Sequence, residues 1–345
     1  MSAILLHRTL AGEPATRQEA ADLLRAFADG TLGPEVLAAV LTALHLRGES
    51  PEVLAGFVDV LREQAIPVDT RGLDPVDLCG TGGDGQGTVN LSTAAAFVAS
   101  AAGVPVAKHG NHGVSSRTGS ADVLSALGLP PLPSAAAAAE VLARHGLAFL
   151  YAPAHHPLFA RIGPVRRALG FRTAFNLLGP LCNPARVRRQ VIGVPSLEAQ
   201  RTLASVLAGL GADRALVVHT PGPYDEVSLT GETIGLLVQG SHIRPMTFGP
   251  EALGARRVAP AALRGGDATA NAARIEALFV DPERDRDLAA AICANAACAL
   301  WVAEGVSNLR EAFHQAQEAL RCGAALARLQ ALRAYNREVR PELAG

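Results

Sequence analysis

Three short stretches of the chain gather residues that could handle a polyanion. The first, Gly80-Thr-Gly-Gly-Asp-Gly-Gln-Gly-Thr88, runs on through Val-Asn-Leu-Ser-Thr93. Its five glycines in eight residues let a backbone come close to a ligand. Ser92 and Thr93 stand where a helix begins, so free N–H groups and the helix dipole favour an anion there. The second, Lys108-His-Gly-Asn-His-Gly-Val-Ser-Ser-Arg-Thr-Gly-Ser120, offers a cation, small donors and glycines, the set that phosphate oxygens require. Lys108 is the only lysine, against 30 arginines. A lone lysine is most often a solvated surface charge. In a chain that otherwise uses arginine, the alternative is a compact ammonium where a guanidinium does not fit. The third stretch, Pro221-Gly-Pro-Tyr-Asp225-Glu226-Val-Ser, carries adjacent carboxylates. Such a pair is commonly just solvated. Facing a phosphate site it becomes a pair of magnesium ligands, because magnesium is held by one or two carboxylates, waters and substrate phosphates.

Other chemistries are excluded by the same residues. A Walker A loop needs Gly-Lys-Ser/Thr, and Lys108 is followed by His109. Gly80, Gly82 and Gly85 match GxGxxG, but no acid lies between Asp84 and Asp122 to hold a dinucleotide's ribose. The five cysteines form no CxxC pair and read as small apolar residues in a reducing compartment. His155-His156 has no third metal ligand nearby in sequence and reads as structural, or as lining an acceptor channel. A formal net charge of −1 argues against a nucleic-acid partner, whose footprint is basic. The start lacks the plan of a signal peptide, and the longest uncharged stretch, 85–107, is broken by Gly87, Asn90, Gly103 and Pro105. The expectation is a cytoplasmic protein with no membrane association.

The elements that must position these stretches change character along the chain. Residues 1–66 look all-helical: Thr16-Arg-Gln-Glu19 is a capping box, and Ser50-Pro51 supplies an N-cap with proline at the first helical position. After Pro67, Val76–Cys79, Val104–Ala107, Val191–Val194 and Ala215–Val218 read as strands, with helices over 92–102 and 197–209. Ser134 caps a helix opening with five alanines, and 268–333 is again helical. Strands alternating with helices predict an α/β domain with a largely parallel central sheet flanked by helices, next to the small all-helical domain. Ligands of such sheets bind beyond the carboxyl ends of the strands. The loops 80–88, 108–116 and 220–226 each follow a predicted strand and are expected to meet at one sheet edge.

At this point a resemblance becomes specific. Gly80-Thr-Gly-Gly-Asp, Asn90-Leu-Ser-Thr, Lys108-His-Gly-Asn, Phe175-Asn-Leu-Leu-Gly-Pro-Leu-Cys-Asn-Pro184 and Asp225-Glu-Val-Ser-Leu-Thr230 resemble the signature segments of the anthranilate phosphoribosyltransferase family. Leu46-Arg-Gly-Glu, Gly265-Gly-Asp and Asn271-Ala extend the similarity over nearly the whole chain. The resemblance implies transfer of phosphoribose from phosphoribosyl pyrophosphate to the anthranilate amine, in tryptophan biosynthesis, with Mg²⁺ as cofactor. It implies a helical domain over 1–70, completed by helices within about 160–185, joined by hinges to an α/β domain over 71–345. It also implies a homodimer formed through the helical domain.

Carried over by motif, the resemblance assigns the phosphoribosyl pyrophosphate site to Gly80, Gly83, Asp84, Thr88, Asn90, Leu91, Ser92 and Thr93 from the first stretch. From the second it takes Lys108, His109, Gly110, Asn111, His112, Gly113, Val114, Ser115, Ser116 and Ser120. Ser92, Asp225 and Glu226 correspond to magnesium ligands, and Gly80, Asn111 and Arg166, with His109 beside them, to anthranilate contacts. Arg166 also makes independent sense, since a guanidinium can clamp a carboxylate. One departure stands out: His112 occupies a position where the family commonly has arginine, which puts a side-chain phosphate contact there in question. Arg117-Thr118 replaces the more usual Lys-Ser. The rival readings are a pyrimidine-nucleoside phosphorylase of the same fold and a nucleic-acid-binding relative without transferase activity. The diacid favours a pyrophosphate donor with metal over the first, and the net charge and intact loops disfavour the second.

Overall fold

The computed structural model describes residues 4–113, 118–222 and 224–340. Four helices open the chain: α1 (Ile4–Ala11), α2 (Arg17–Ala28), α3 (Pro34–Arg47) and α4 (Pro51–Glu63). Helix α2 starts on the expected capping box, in which the Thr16 side chain accepts from the Glu19 N–H and the Glu19 carboxylate accepts from the Thr16 N–H. Ser50 caps α4 by accepting from the Val53 N–H. Their apolar faces bury Leu23, Leu24, Leu37, Leu41, Leu54 and Phe57 in one core. Leu158, Ile162 and Val165 of the helix Pro157–Leu169 join that core, as do Phe175, Leu178 and Leu181. Phe57 stacks on Phe175 with ring centroids 5.6 Å apart, so the 157–182 segment packs on the opening helices although more than 90 residues of α/β chain intervene.

A seven-stranded sheet of order β3-β2-β1-β4-β5-β6-β7 separates that core from a second one, with Ile192, Val217 and Val238 facing the first and Val191, Leu216 and Val218 the second. Its strands are β1 (Val76–Gly80), β2 (Val106–Gly110), β3 (Leu147–Tyr151), β4 (Arg189–Gly193), β5 (Arg214–His219), β6 (Thr233–Gln239) and β7 (His242–Phe248). The first five run parallel and the last two antiparallel. The four predicted strands are present, and three more exist. Strand β3 is a short apolar run, and β7 carries Pro245 and exposed residues, which suits an edge strand that need not donate on both sides.

One boundary differs in a way that matters. The second strand was expected over 104–107; it runs from Val106 to Gly110, so Lys108 and His109 are strand residues and not loop residues. Both are buried. Polar residues inside a strand defeat a boundary drawn by hydropathy, and here the reason is a buried partner. Asp77 on β1 is fully buried and accepts from the His109 N–H at 3.2 Å and the Asn183 amide at 2.9 Å.

Helix α5 (Leu91–Ala101) follows the glycine-rich loop and buries nine of its eleven residues. It packs on the helix Arg286–Val302, whose Ala294, Ala297 and Ala299 are fully buried. The alanine bias thus has a packing role, since small side chains let these two helices approach closely behind the sheet. The strand order reverses between β1 and β4, and a crevice at the carboxyl ends of strands is expected at such a switch point. Gly80 and Gly193 are the last residues of those two strands.

Candidate active site

A cleft of about 510 Å³ opens at that switch point. Its floor is built by close approach of the diacid segment. A Cβ on Gly80 would clash with the Asp225 carboxylate, and a Cβ on Gly193 would clash with the Asp225 carbonyl. Both strands therefore end in glycine, because the Asp225 carboxylate lies across the end of β1 and the Asp225 backbone across the end of β4. Asp225 Oδ2 accepts from the Gly82 N–H at 2.7 Å, and Glu226 Oε1 accepts from the Ser92 N–H at 2.8 Å. Sequence reasoning reserved the start of α5 for a substrate anion; the structure gives the Ser92 N–H to Glu226, whose negative charge suits a helix N-terminus equally well.

The two carboxylates are buried, at 7% and 9% exposure. Burial pushes both carboxyls well above the usual range, and Asp84 beside Asp225, and Asp225 beside Glu226, push them further. Neither makes an ion pair with a basic side chain among the described residues. Two adjacent buried acids without a counter-ion among the described residues, one joined to a serine that lines the cleft, fit a divalent cation. Among the described residues no three His, Cys, Asp or Glu side chains could hold a metal unaided. That suits magnesium, which takes one or two carboxylates and completes its shell with water and phosphate.

Lys108 rises under this floor. Its Nζ donates to the Leu78 carbonyl at 2.5 Å and to Ser92 Oγ at 3.4 Å. One ammonium thus connects β1, β2 and the start of α5. The glycine-rich loop above it is pinned to the chain's later segments: Gly265 N–H donates to the Gly87 carbonyl, and Val89 N–H to the Leu263 carbonyl. Asn271 is the junction. Its amide donates to Asn90 Oδ1 at 3.1 Å and Thr118 Oγ1 at 3.2 Å, while its oxygen accepts from the Gly266 N–H at 2.7 Å. Asp122 organises the next turn by accepting from Gly113 N–H, Gly119 N–H and His112 Nδ1. His112, at the position of the departure, is therefore held by a carboxylate.

The cleft's other end is aromatic. Phe159, Phe175 and His156 line it with Ala152, Pro153 and Pro180. The rings of His109, His156, Phe159 and Phe175 follow one another at centroid separations of 5.1, 5.4 and 6.2 Å. His109 Nδ1 faces the Gly179 carbonyl at 3.1 Å and so must carry the proton there. Burial, with His156 beside it, pushes the His109 pKa down to about 3, so the ring is neutral and Nε2 keeps a lone pair. That atom has no hydrogen-bond partner among the described residues. Arg166 reaches the cleft from the helix Pro157–Leu169, half-buried and without an ion-pair partner among the described residues.

Of the residues singled out from sequence, Gly80, Asp84, Thr88, Asn90, Ser92, Thr93, Lys108, His109, Gly110, Asn111, His112, Gly113, Ser120, Arg166, Asp225 and Glu226 line this one cleft. Leu91 and Gly83 do not. Leu91 is a fully buried core residue. Gly83 adopts φ +81°, and its missing side chain leaves room for the Arg172 guanidinium, which crosses to it from the helical side. Val114, Ser115 and Ser116 lie outside the described residues. Sequence reasoning missed Phe159 and Asp77, and it placed Phe175, Asn183 and Asn271 within the resembling segments without giving them a role at the site. Beyond the resemblance, Phe159 and Phe175 look like ordinary core aromatics, and for Asp77, Asn183 and Asn271 the available signal was a polar residue inside an apolar stretch.

Comparison with known proteins agrees with this arrangement. Residues 4–65 match the glycosyl transferase family helical bundle domain, and residues 73–326 match the glycosyl transferase family a/b domain. The chain is 45% identical over 328 residues to the anthranilate phosphoribosyltransferase of Rubrobacter xylanophilus, covering 94% of each. It is 45% identical over 336 residues to that of Thermomicrobium roseum, covering 95% of each. Among solved structures, the anthranilate phosphoribosyltransferase of Thermus thermophilus superposes with a TM-score of 0.90 at 39% identity, over 96% of this chain and 99% of that one. The Saccharomyces cerevisiae enzyme in complex with PRPP and Mg superposes with a TM-score of 0.85 at 25% identity, over 98% and 99%. With its two halves matched in order and its length covered at this identity, the chain belongs to the anthranilate phosphoribosyltransferase family.

Proposed function

We propose that the protein transfers 5-phosphoribose from phosphoribosyl pyrophosphate to the amine of anthranilate, releasing pyrophosphate and N-(5-phosphoribosyl)anthranilate. The observation that carries this reading is the division of one cleft into a polyanion end and an aromatic end that closes on an arginine without an ion-pair partner among the described residues. Bond formation between the amine nitrogen and the anomeric carbon accompanies loss of the bond from that carbon to pyrophosphate. The reaction therefore needs charge neutralised on the leaving group and the nucleophile held close.

Magnesium, when bound, supplies positive charge to the leaving pyrophosphate, and Asp225, Glu226 and Ser92 are the residues that would hold it. Lys108 adds a fixed cation on the same side, and the glycine-rich loop with Thr88, Asn90 and Thr93 offers donors to the phosphates. At the other end, Arg166 clamps the anthranilate carboxylate while Phe159, Phe175 and Pro180 flank its ring. Gly80 and Asn111 border the space between the two substrates. The bare Nε2 of His109 accepts a hydrogen bond from the amine. Burial keeps that ring neutral, with a pKa near 3, so its role is to orient the lone pair, and the proton released as the new C–N bond forms goes to the departing pyrophosphate.

The same reading divides the chain into a helical domain over 1–70, completed by 160–185, and an α/β domain over 71–345, with a homodimer formed through the former. It places the enzyme in the cytoplasm; among the described residues no helix is long and apolar enough to cross a membrane. The test is loss of anthranilate fluorescence on adding phosphoribosyl pyrophosphate with and without Mg²⁺. Magnesium-dependent loss is expected. No turnover with that pair, together with phosphorolysis of thymidine, refutes the reading.

A further inference from the structure

We propose that Asn295 is a positioning residue for the two carboxylates, acting through the backbone of Val227. The proposal rests on the reading of Asp225 and Glu226 as magnesium ligands. Asn295 lies in the middle of the helix Arg286–Val302, between the fully buried Ala294 and Ala296, and is itself only 4% exposed. Its Oδ1 accepts from the Val227 N–H at 3.1 Å, and its Nδ2 donates to the Val227 carbonyl at 2.9 Å. The second amide hydrogen goes to the Ala291 carbonyl of its own helix, also at 2.9 Å. The side chain thus meets both polar groups of one residue as a neighbouring strand would, and that residue immediately follows Glu226.

The far side of the same segment is held differently. Thr220 Oγ1 donates to the Glu226 carbonyl at 2.9 Å, and Thr220 N–H donates to the Tyr224 carbonyl at 3.2 Å. Between these anchors the backbone of 224–227 crosses the ends of β1 and β4 with no room for a Cβ at Gly80 or Gly193. Its height above the sheet is therefore set from below by the glycines and from behind by Asn295. That height decides whether Asp225 Oδ2 meets the Gly82 N–H and Glu226 Oε1 meets the Ser92 N–H. Asn295 also borders the small void directly beneath the carboxylates, together with Leu78, Ser92 and Val191. An amide in an alanine-packed helix is unfavourable unless every polar atom is bonded, and here each bond but one goes to Val227. Packing alone calls for an apolar residue at this position. Registration of the diacid segment explains the amide.

The experiment titrates Mn²⁺ into the full chain, with and without pyrophosphate, and follows water-proton relaxation. Wild type is compared with Asn295→Ala and with the isosteric Asn295→Asp, which keeps the acceptor for Val227 N–H and loses the donor. Groups that orient metal ligands through hydrogen bonds are worth roughly 10–100-fold in metal affinity. Mn²⁺ binding in Asn295→Ala is expected to weaken by that factor, and in Asn295→Asp by about 10-fold. The Mg²⁺ concentration giving half-maximal rate should rise in parallel, with kcat at saturating Mg²⁺ and the dissociation constant for anthranilate little changed. A merely structural role predicts the opposite split, with anthranilate binding and kcat falling as far as metal affinity, and that result overturns the proposal. So does Mn²⁺ affinity within twofold of wild type in whichever variant retains a cooperative melt. A wild-type protein that fails to bind Mn²⁺ even with pyrophosphate overturns the metal reading, and this proposal with it. Wild-type binding matched by the variants overturns the role of Asn295 alone.

Discussion

Lys108 permits the sharpest perturbation, because its ammonium is both a packing element and a charge. From sequence, Lys108→Arg should fold normally and weaken use of the phosphoribosyl donor. The structure revises the first half of that expectation. The side chain is 3% exposed, and its Nζ already sits 2.5 Å from the Leu78 carbonyl and 3.4 Å from Ser92 Oγ. A guanidinium on the same strand position is larger and planar, and overpacking a filled site costs about 1–3 kcal/mol. Lys108→Arg should therefore melt a few degrees lower as well as lose activity. Lys108→Met separates the two effects. It keeps the stem and much of the volume, so packing changes by less than about 1.5 kcal/mol. It leaves the Leu78 carbonyl without that donor, and it removes a charge that opposes burial at Asp77, whose carboxyl is raised to about 6 even with Lys108 in place.

For the reaction, losing one preorganised positive group at the developing pyrophosphate is comparable to losing an oxyanion-hole donor, about 10²–10³-fold in rate. The assay is anthranilate fluorescence at saturating Mg²⁺ with varied phosphoribosyl pyrophosphate, alongside thermal melting and anthranilate binding. Lys108→Met should lose that factor in kcat/KM for the donor while binding anthranilate as wild type does. A variant that melts normally and keeps kcat/KM within threefold refutes the electrostatic role. A wild-type melt for Lys108→Arg refutes the packing argument.

Three further outcomes follow from the floor of the cleft and its histidines. Gly193→Ala forces a Cβ into the Asp225 backbone, whereas Gly80→Ala meets chiefly its side chain, with Asp225 Cγ 2.9 Å away. Both should lower kcat/KM by about 10²-fold, the effect of an ångström-scale misplacement, and calorimetry should find only Gly193→Ala strongly destabilised. Glu226→Gln removes a charge that burial disfavours, so the metal-free protein should melt higher at pH 7.5 while magnesium-dependent turnover collapses; an unchanged or lower melt contradicts the burial argument. His156 has a folded pKa lowered to about 4, chiefly by burial, so its contribution to stability is complete above about 6.5 and is lost as pH falls toward 4. Asp77, Asp225 and Glu226 have raised values and act in the opposite sense. The check is therefore differential: His156→Phe should gain about 1 kcal/mol on wild type between pH 7.5 and 5.5 in urea titrations, and a constant difference disproves it.

What could be read from the sequence, and what could not, divides along a physical line. Glycine runs, a lone lysine and a diacid announce themselves because they have no good reason to cluster in a core. Thirteen of the residues read from the two glycine-bearing stretches line the cleft, with Asp225 and Glu226. Local pattern placed the opening helices, those over 92–102 and 197–209, the one after Ser134, the helical tail and four strands, but not the helix Ser120–Ala126, and it ended the second strand early. It treats Lys108 and His109 as loop formers, whereas they pair with Phe149 and Leu150 of β3, and Asp77 accepts from the His109 N–H beneath them. Only the resemblance grouped Ser92 with Glu226; local pattern could not pair them, since Glu226 is 134 positions away and any acid satisfies a helix start locally. Phe159 was invisible for the reverse reason, and Phe175 stood out only as the first residue of a resembling segment: an aromatic residue at helical spacing is indistinguishable from core packing until the fold opens a cleft beside it. The residues that hold the site together share one mark. Asp77, Asn183, Asn271 and Asn295 are all buried polar side chains, at 5% exposure or less, in stretches whose pattern calls for apolar residues. Each violates the local rule, and each bonds to a backbone or side chain that carries a cleft residue. Buried polar groups are in the large majority hydrogen-bonded. The bonds of these four run to residues on or beside the cleft, whereas the equally buried Gln200 bonds to the Val217 and Ile234 carbonyls within the sheet, so such a violation marks the site's supporting frame only where its partner adjoins the cleft.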